Sequence, residues 1–216
     1  SVECYAAVHG YHLAVIYDDK YKECEIHKDI YFRRHCNTHL YMKEFVKEGS
    51  WVLVIDSDVG VVNPNRYIEE WIQPEYDIYL FDRFWNWEYA ALSYLVKNND
   101  LGRGWVSAFG NFEFSLPNSL HGTDNGALHP YMMFILVPES KNPETRPRMA
   151  EHCLSLWNRS KSWGDVFEME SCIRSGKGWS RDLDLLASHW SYSDFMMHAV
   201  KEKDLTSYPT DEKQRQ

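Results

Sequence analysis

Several features that would place this chain in a membrane or on a nucleic acid are missing from the sequence. No apolar run reaches the roughly 18 residues that a helix needs to cross a bilayer, so we expect no membrane span in this chain. Basic residues number 23 against 32 acidic ones, and a formal charge of −9 argues against the basic stripe that a phosphate backbone requires. The amino terminus, SVECYAAVHGYH, lacks a signal-peptide pattern. An acidic protein can still bind one diphosphate through a metal ion, so a nucleotide ligand stays open.

Cysteine is scarce, and its spacing excludes the common structural zinc sites. The five cysteines contain no CxxC pair. Two disulfides with one free thiol would fit a secreted domain, and five reduced cysteines would fit a core equally well. One glycosylation sequon, Asn158 to Ser160, favours the secretory pathway. The cysteines are Cys4, Cys24, Cys36, Cys153 and Cys172.

Aromatic residues, in contrast, are abundant at 15% of the chain. Sugar faces pack well on aromatic rings, so carbohydrate-binding proteins often have this composition. Large cores and anchored loops use the same residues, and the composition alone leaves both explanations open.

Strands and helices alternate along the chain, which predicts one α/β domain over residues 1–208 and a disordered tail at 209–216. Asp29 is the expected N-cap of a helix over 29–47, and Gly49 follows its end. In such folds the sheet is mostly parallel, and ligands collect at the carboxyl ends of its strands. The other predicted helices cover 1–10, begin near 63 and 100, and span 127–136 and 148–159; the predicted strands are 11–16, 51–55, 77–82 and 89–97.

Two carboxylates, Asp56 and Asp58, follow the apolar run WVLVI with only Ser57 between them. A divalent metal ion would explain two like charges at the end of a buried strand. Glycosyl transfer from a nucleotide sugar and phosphoryl transfer through an aspartate both use this arrangement. A solvated strand end is the third explanation, since acids commonly lie there.

The phosphatase alternative, of the haloacid-dehalogenase type, finds little support in the neighbouring residues. In it the first aspartate attacks phosphorus, and Thr or Val normally stands two residues beyond the second. Here Gly60 occupies that position, and the pattern follows 50 residues of other structure instead of opening the domain. These departures favour sugar transfer.

Sugar transfer calls for further groups, and the chain carries them in the expected order. A cation in the helix before the strand should contact the nucleotide, and Arg33 and Arg34 lie there. An acid in a later loop should face the anomeric carbon, as Asp124 could. His198 could complete a Mn²⁺ or Mg²⁺ site, and Lys201, one helical turn on, could neutralise the diphosphate.

Long segments of the chain resemble a nematode family catalogued as a domain of unknown function and grouped with the glycosyltransferase-A superfamily. The resemblance covers nearly the whole chain. It also extends, more distantly, to retaining galactosyl- and mannosyltransferases of the fungal and plant Golgi, whose HGY opening is similar to YAAVHGYHL. The segments are FRRHC, IDSDVGVVNP, DIYLFDRFWNWE, SYLVKN, LPNSLHGTDNGALH and DFMMHAVKE.

This resemblance implies a fold, a reaction and a location. The fold would be a single glycosyltransferase-A-like domain with a mixed, mostly parallel sheet that could lack its first strand. The reaction would be metal-dependent transfer of a hexose from a UDP-sugar to a glycan or glycoconjugate, with retention of configuration. The location would be the Golgi or ER lumen, with a type II membrane anchor outside this chain.

The predicted site combines metal ligands, catalytic residues and substrate contacts. Asp124 could instead cap the following helix as an Asx turn, and His189 is the rival of His198 as a metal ligand. Asp82 and Arg83 could also pair with each other. The predicted metal ligands are Asp56, Asp58 and His198, the catalytic residues Asp124 and Asn125, and the substrate contacts Arg33, Arg34, Asp82, Arg83, His121, Gly122 and Lys201.

Two departures from the relatives support an alternative function. The segment AALSYLVKN stands where they carry an Asn-Thr-Gly-Ser-like donor segment, and their first nucleotide-binding strand has no counterpart in this chain. Either change would weaken donor binding. The alternative is therefore a sugar-binding or scaffold domain that keeps the fold without catalysing transfer.

Overall fold

The computed structural model describes residues 1–82, 89–173, 180–182 and 196–198, with side chains for all of these except Asp82 and the last two segments. Its mixed α/β content confirms the predicted class. The helices are α1 Val2–His9, α2 Ile30–Phe45, α3 Asp100–Asn111, α4 Thr123–Leu136, α5 Arg148–Arg159 and α6 Trp163–Ile173. The strands are β1 Trp51–Ile55, β2 Gly60–Val61, β3 Ile78–Asp82, β4 Tyr89–Lys97, β5 Ser180–Asp182 and β6 Met196–His198. Short 3₁₀ helices cover Lys22–Ile26, Ile68–Trp71, Phe112–Ser115 and Pro138–Lys141.

Helix α2 begins where the sequence predicts and ends at Phe45, two residues before the predicted end. The Asp29 carboxylate accepts a hydrogen bond from the Tyr31 N–H at 2.8 Å, which satisfies one of the free amides of the first turn. After the helix, Gly49 takes a left-handed φ of 83°, which glycine adopts at no steric cost. The chain then turns directly into β1. None of the helices in the described segments is both long and apolar enough to cross a membrane.

Two predicted elements are absent from the described structure. The helix expected near residue 63 is reduced to one 3₁₀ turn at Ile68–Trp71. Its cause is local, because the Asn63 side chain accepts a hydrogen bond from the Asn65 N–H at 3.1 Å and closes an Asx turn. Residues 11–16 form no strand with any described segment, and the side chain of Val15 in that stretch is 72% exposed.

The main sheet has the order β1-β4-β3, and β4 is antiparallel to both of its neighbours. The sequence predicted a mostly parallel sheet, but in the described residues the strands of the main sheet pair antiparallel. Two features explain the difference: β3 passes to β4 through only 83–88, and the stretch between β1 and β3 contains no α-helix to cross the sheet. Because β1 and β3 both run against β4, they are parallel to each other, and their carboxyl ends share one edge.

A second, separate sheet contains β2, which follows shortly after β1 in the chain. Strand β2 pairs with β6 in antiparallel register, with Gly60 opposite Met197, and β6 pairs with β5 in parallel register. Strand β6 thus runs beside the segment that follows β1.

The main sheet separates two apolar clusters. Helices α2 to α6 cover one face, where Tyr94 and Val96 of β4 pack with Phe32 and Phe109. Helix α1 contributes to the smaller cluster, which contains Tyr5, Phe81 and Leu92. Strand β1 packs side chains against both clusters, Val52 and Val54 on one face and Leu53 and Ile55 on the other. Its sequence is therefore apolar throughout and does not alternate with polar residues.

Two disulfides and one free thiol account for the five cysteines. Cys24 is bonded to Cys36 in α2, and Cys153 of α5 is bonded to Cys172 of α6. Cys4 is exposed and free. Of the two cysteine patterns left open by the sequence, the structure has the one that fits an oxidising compartment.

Replacing Phe109 with Ala should destabilise the fold strongly. Its ring is fully buried and lies 4.5 Å from the His35 ring and 5.2 Å from the Tyr131 ring, centroid to centroid. We expect the free energy of unfolding to fall by about 3–5 kcal/mol in urea titrations. Leu101→Ala on the same helix is the control, because Leu101 is 61% exposed and should change stability by no more than about 0.5 kcal/mol. Equal effects of the two changes would contradict this packing.

Thiol titration of the unfolded, unreduced protein should find one reactive thiol per chain. Cys4 supplies it, and the other four cysteines are bonded in pairs. The Cys4→Ser variant should show none, and reduction should release four more in both proteins. Five reactive thiols before reduction, in protein made in an oxidising compartment, would show that the pairing is wrong.

Candidate functional site

The candidate site lies at the carboxyl end of β1, where α2 and α4 approach the sheet. Asp56 follows β1 directly, Arg34 comes from the second turn of α2, and Asp124 from the first turn of α4. These residues are far apart in the sequence, and the packing of both helices on one face of the sheet brings them together. The arrangement makes one ion cluster of three elements.

Arg34 is the centre of this cluster. Its Nη1 donates to the Asp56 Oδ1, and its Nη2 donates to the Asp124 Oδ2 at 2.5 Å and to the Ala91 carbonyl at 3.0 Å. Burial opposes the charge on Arg34, but the charges of Asp124 and then Asp56 outweigh it and raise the pKa of the guanidinium. Arg34 is therefore a permanent cation joined to β1, β4 and α4 at once.

Asp124 is completely buried, with a side-chain exposure of 1%. Burial alone would raise its pKa, but the Arg34 charge and a hydrogen bond from His35 hold that pKa below its ordinary value. The carboxylate Oδ2 accepts from both residues. In this structure Asp124 holds Arg34 in place and does not face solvent.

His35 continues the hydrogen-bonded chain into the core. Because the Asp124 carboxylate can only accept, the His35 Nε2 at 3.2 Å must carry the proton. The other nitrogen, Nδ1, accepts from the Tyr94 hydroxyl at 3.0 Å. Burial lowers the pKa of His35 to about 4, so the ring is neutral at physiological pH.

Helix α4 is tied to the backbone of β4 by two side chains one turn apart. The Asn125 Oδ1 accepts from the Ala91 N–H at 2.8 Å, and the His129 Nε2 accepts from the Tyr89 N–H at 2.9 Å. Acceptance at Nε2 leaves the proton on Nδ1, which donates to the Asn125 carbonyl at 3.1 Å. The β3–β4 pairing shifts its register in this part of β4. The Asn125 and His129 side chains accept hydrogen bonds from backbone N–H groups that the neighbouring strand does not pair with there.

The turn before α4 is constrained as well. Gly122 and Thr123 have φ values of 71° and 54°, and the left-handed conformation is strained for threonine. A side chain at Gly126 would place its Cβ 2.3 Å from the His121 carbonyl oxygen, so only glycine fits. The glycines in HGTDNGALH therefore allow a close turn that delivers Asp124 to Arg34.

The two predicted arginines have different roles. Arg33 donates to the Asp18 carboxylate at 2.7 Å and to the His27 carbonyl, and these groups are not part of the cluster around Arg34. Arg34 alone joins the candidate site. Sequence reasoning could not separate the two, because adjacent helix positions point about 100° apart and their partners lie elsewhere in the chain.

The remaining predicted residues divide between nearby and undescribed positions. Asp58 is half-buried beside Asp56, and the half-buried His121 lies before the strained turn. Asp82 ends β3 at the shared edge of the sheet, but its side chain is outside the described part. Arg83, His189 and Lys201 lie outside the described residues, so their predicted roles stay predictions.

The predicted metal site is only partly described. No group of three or more potential metal-ligating side chains occurs within the segments whose side chains are described. The side chain of His198 lies outside those segments. Its backbone is described, and continuing the β2–β6 register by one residue places position 198 opposite Val59, next to Asp58.

His35 and Tyr94 are site residues that the sequence did not reveal. His35 lies within the predicted helix over 29–47, and Tyr94 belongs to an apolar strand. The single available signal was the run of Arg33, Arg34 and His35 within a predicted helix. Polar residues at buried positions require partners, but the sequence does not say which.

His35 should make stability depend on pH in a defined window. Its folded pKa of about 4 lies below the unfolded value of 6.5, so the unfolded chain binds the proton first and stability is lost as pH falls from 6.5 to 4. Unfolding at pH 5 should cost about 2 kcal/mol less than at pH 7 on account of this residue.

Urea titrations of wild type and His35→Gln at both pH values measure that difference. The variant should be less stable overall, and its pH difference should shrink by about the same 2 kcal/mol. His152→Gln, at an exposed position of α5, is the control and should keep the wild-type difference. If the free energy of unfolding of His35→Gln changed between pH 7 and pH 5 as much as that of the wild type, His35 would not be held neutral in the folded protein.

Comparison with known proteins gives a family and no functional relative. The search of curated proteins and the search of solved structures each found no match. A protein family matches residues 2–214, nearly the whole chain. The chain belongs to this family, which is described as "Protein of unknown function, DUF273".

Proposed function

We propose that this protein is a metal-dependent glycosyltransferase that moves a hexose from a UDP-sugar to a glycan or glycoconjugate acceptor. The observation that carries the proposal is the cluster at the end of β1, where Asp56 pairs with an arginine that Asp124 of a second helix also holds, and where Asp58 follows two residues later. A solvated strand end would not need a buried network to position its first carboxylate. A metal and diphosphate site would.

The charges of the cluster suit a divalent cation. One guanidinium stands against the three carboxylates of Asp56, Asp58 and Asp124, which leaves a formal charge of −2. Carboxylate oxygens and an imidazole are suitable ligands for Mn²⁺ or Mg²⁺. Asp58 and Asp56 would hold the ion with His198, because extending the β2–β6 register by one residue would put position 198 opposite Val59, the neighbour of Asp58 in the chain.

The bound metal would supply charge stabilisation for the diphosphate leaving group. Arg34 fixes one oxygen of Asp56, so the position of that carboxylate is set before any ligand binds. Asn125 is fixed too, because its Oδ1 is occupied by the Ala91 N–H, and its amide N–H groups can donate to a sugar hydroxyl. Preorganised donors of this kind lower the cost of ordering the site during reaction.

The burial of Asp124 supports retention of configuration. An inverting enzyme needs a general base that reaches the acceptor hydroxyl. The carboxylate of Asp124 is buried and already accepts from Arg34 and His35, so it is poorly placed to take that proton. Asp124 would act on the donor site through Arg34.

The glycosyltransferase-A-like architecture belongs to the same proposal. Strands β1 and β3 are parallel to each other on either side of the antiparallel β4, and this brings the acids at their carboxyl ends to one end of the sheet, where a ligand could bind. The two disulfides support a location in the secretory pathway, in the Golgi or ER lumen.

Calorimetric titration of UDP with and without Mn²⁺ tests the proposal. Asp58→Asn and His198→Ala should each weaken Mn²⁺-dependent binding by more than about tenfold, since even the partners of metal ligands change metal affinity by that factor. The matched controls are Asp19→Asn and His152→Ala, at exposed positions away from the cluster. The assignment would be wrong if the wild-type protein bound no nucleoside diphosphate in the presence of Mn²⁺. It would also be wrong if the Asp58→Asn and His198→Ala variants bound the nucleotide as tightly as the wild-type protein does.

The burial of Asp124 also favours a second candidate, a domain that binds the sugar nucleotide without turnover. Hydrolysis or transfer of a UDP-sugar that stops on chelation would exclude this candidate. Mn²⁺-dependent binding with no turnover of any donor would support it. The phosphatase alternative suits the structure less, because the would-be nucleophile Asp56 is salt-bridged to Arg34.

A further inference from the structure

The sequon at residues 158–160 lies at the carboxyl end of α5, on the exposed side of that helix. Asn158 is exposed, as are Ser155 about one turn earlier and Glu151 about two turns earlier. The opposite side of α5 is buried, and there the Trp157 indole N–H donates to the His121 carbonyl at 3.4 Å. A group attached to Asn158 would therefore project away from the candidate site.

The cysteine pairing independently indicates the compartment in which the chain folds. The two disulfides of the chain form only where thiols are oxidised, and one of them joins α5 itself to α6. In eukaryotic cells that compartment is also the one in which asparagine receives its oligosaccharide. The sequon is the only one in the chain, so a single site is at issue.

We propose that Asn158 carries an N-linked glycan. In the transfer, the Asn158 amide nitrogen forms a bond to the anomeric carbon of an oligosaccharide carried on a lipid diphosphate. The bond between that carbon and the diphosphate oxygen breaks, the amide loses one proton, and the lipid diphosphate leaves. The co-substrate is supplied by the compartment, and nothing is oxidised or reduced.

The structure also sets the order of events. The second recognition element of the sequon, the Ser160 hydroxyl, is buried and donates to the Leu156 carbonyl at 2.8 Å. The Ser160 carbonyl in turn accepts from the Leu120 N–H at 3.1 Å, which locks the residue against the loop before α4. A folded chain hides this hydroxyl, so the glycan is attached before α5 docks.

Expression of the full chain behind a cleavable secretion signal in cultured eukaryotic cells tests the attachment. Wild type should show a single mobility step on treatment with peptide N-glycosidase, in the secreted or the retained pool. Asn158→Gln and Ser160→Ala should show none, and Ser155→Ala on the same exposed side should keep the step. Asn158→Gln changes only an exposed side chain, so its result does not depend on the folding of Ser160→Ala.

Wild-type chain without a glycan overturns the proposal, whether or not its disulfides have formed, and so does a mobility step that persists in Asn158→Gln. The order of events has its own test, with unglycosylated protein made in the bacterial periplasm and offered to oligosaccharyltransferase and lipid-linked oligosaccharide. The reduced, unfolded chain should be modified and the folded chain should not. Equal modification of both would overturn the inferred order.

Discussion

The guanidinium of Arg34 joins α2, β1, β4 and α4, and the positions of the candidate site depend on it. Asp124 is a buried carboxylate, and such a group is tolerated only when it is paired and hydrogen-bonded. Arg34 and His35 supply both conditions. Removal of one partner from a buried pair leaves an uncompensated charge and costs about 3–5 kcal/mol. Asp56 thereby takes its position from a residue of a different element, Arg34 of α2.

Much of the neighbouring structure serves to hold these groups still. The disulfide between Cys24 and Cys36 joins α2 to the chain before it, two residues beyond Arg34. Asn125 and His129 fasten α4 to the backbone of β4, and the strained turn at Thr123 starts that helix where Asp124 meets Arg34. A site that is rigid before it binds a ligand loses less entropy on binding.

Local patterns were reliable where the physics is local. Asp29 caps α2, the run WVLVI is a strand, and α5 covers the predicted residues because its apolar spacing repeats every helical turn. The same reasoning failed at Asn63, where a side-chain turn replaced a helix, and at residues 11–16, where an apolar run has no strand partner in the described segments. An apolar run becomes a strand only if another segment of the chain pairs with it, and the sequence of the run does not show which segment that is.

By itself the sequence determined the mixed α/β class and the two acids that follow β1. Tertiary structure decided the rest: the antiparallel pairing of β4, the choice of Arg34 over Arg33, and the burial of Asp124 behind His35 and Tyr94. The physical reason is distance along the chain. Arg34 and Asp124 are separated by 90 residues, and the strength of their pairing comes from a low-dielectric interior that exists only after the helices have packed.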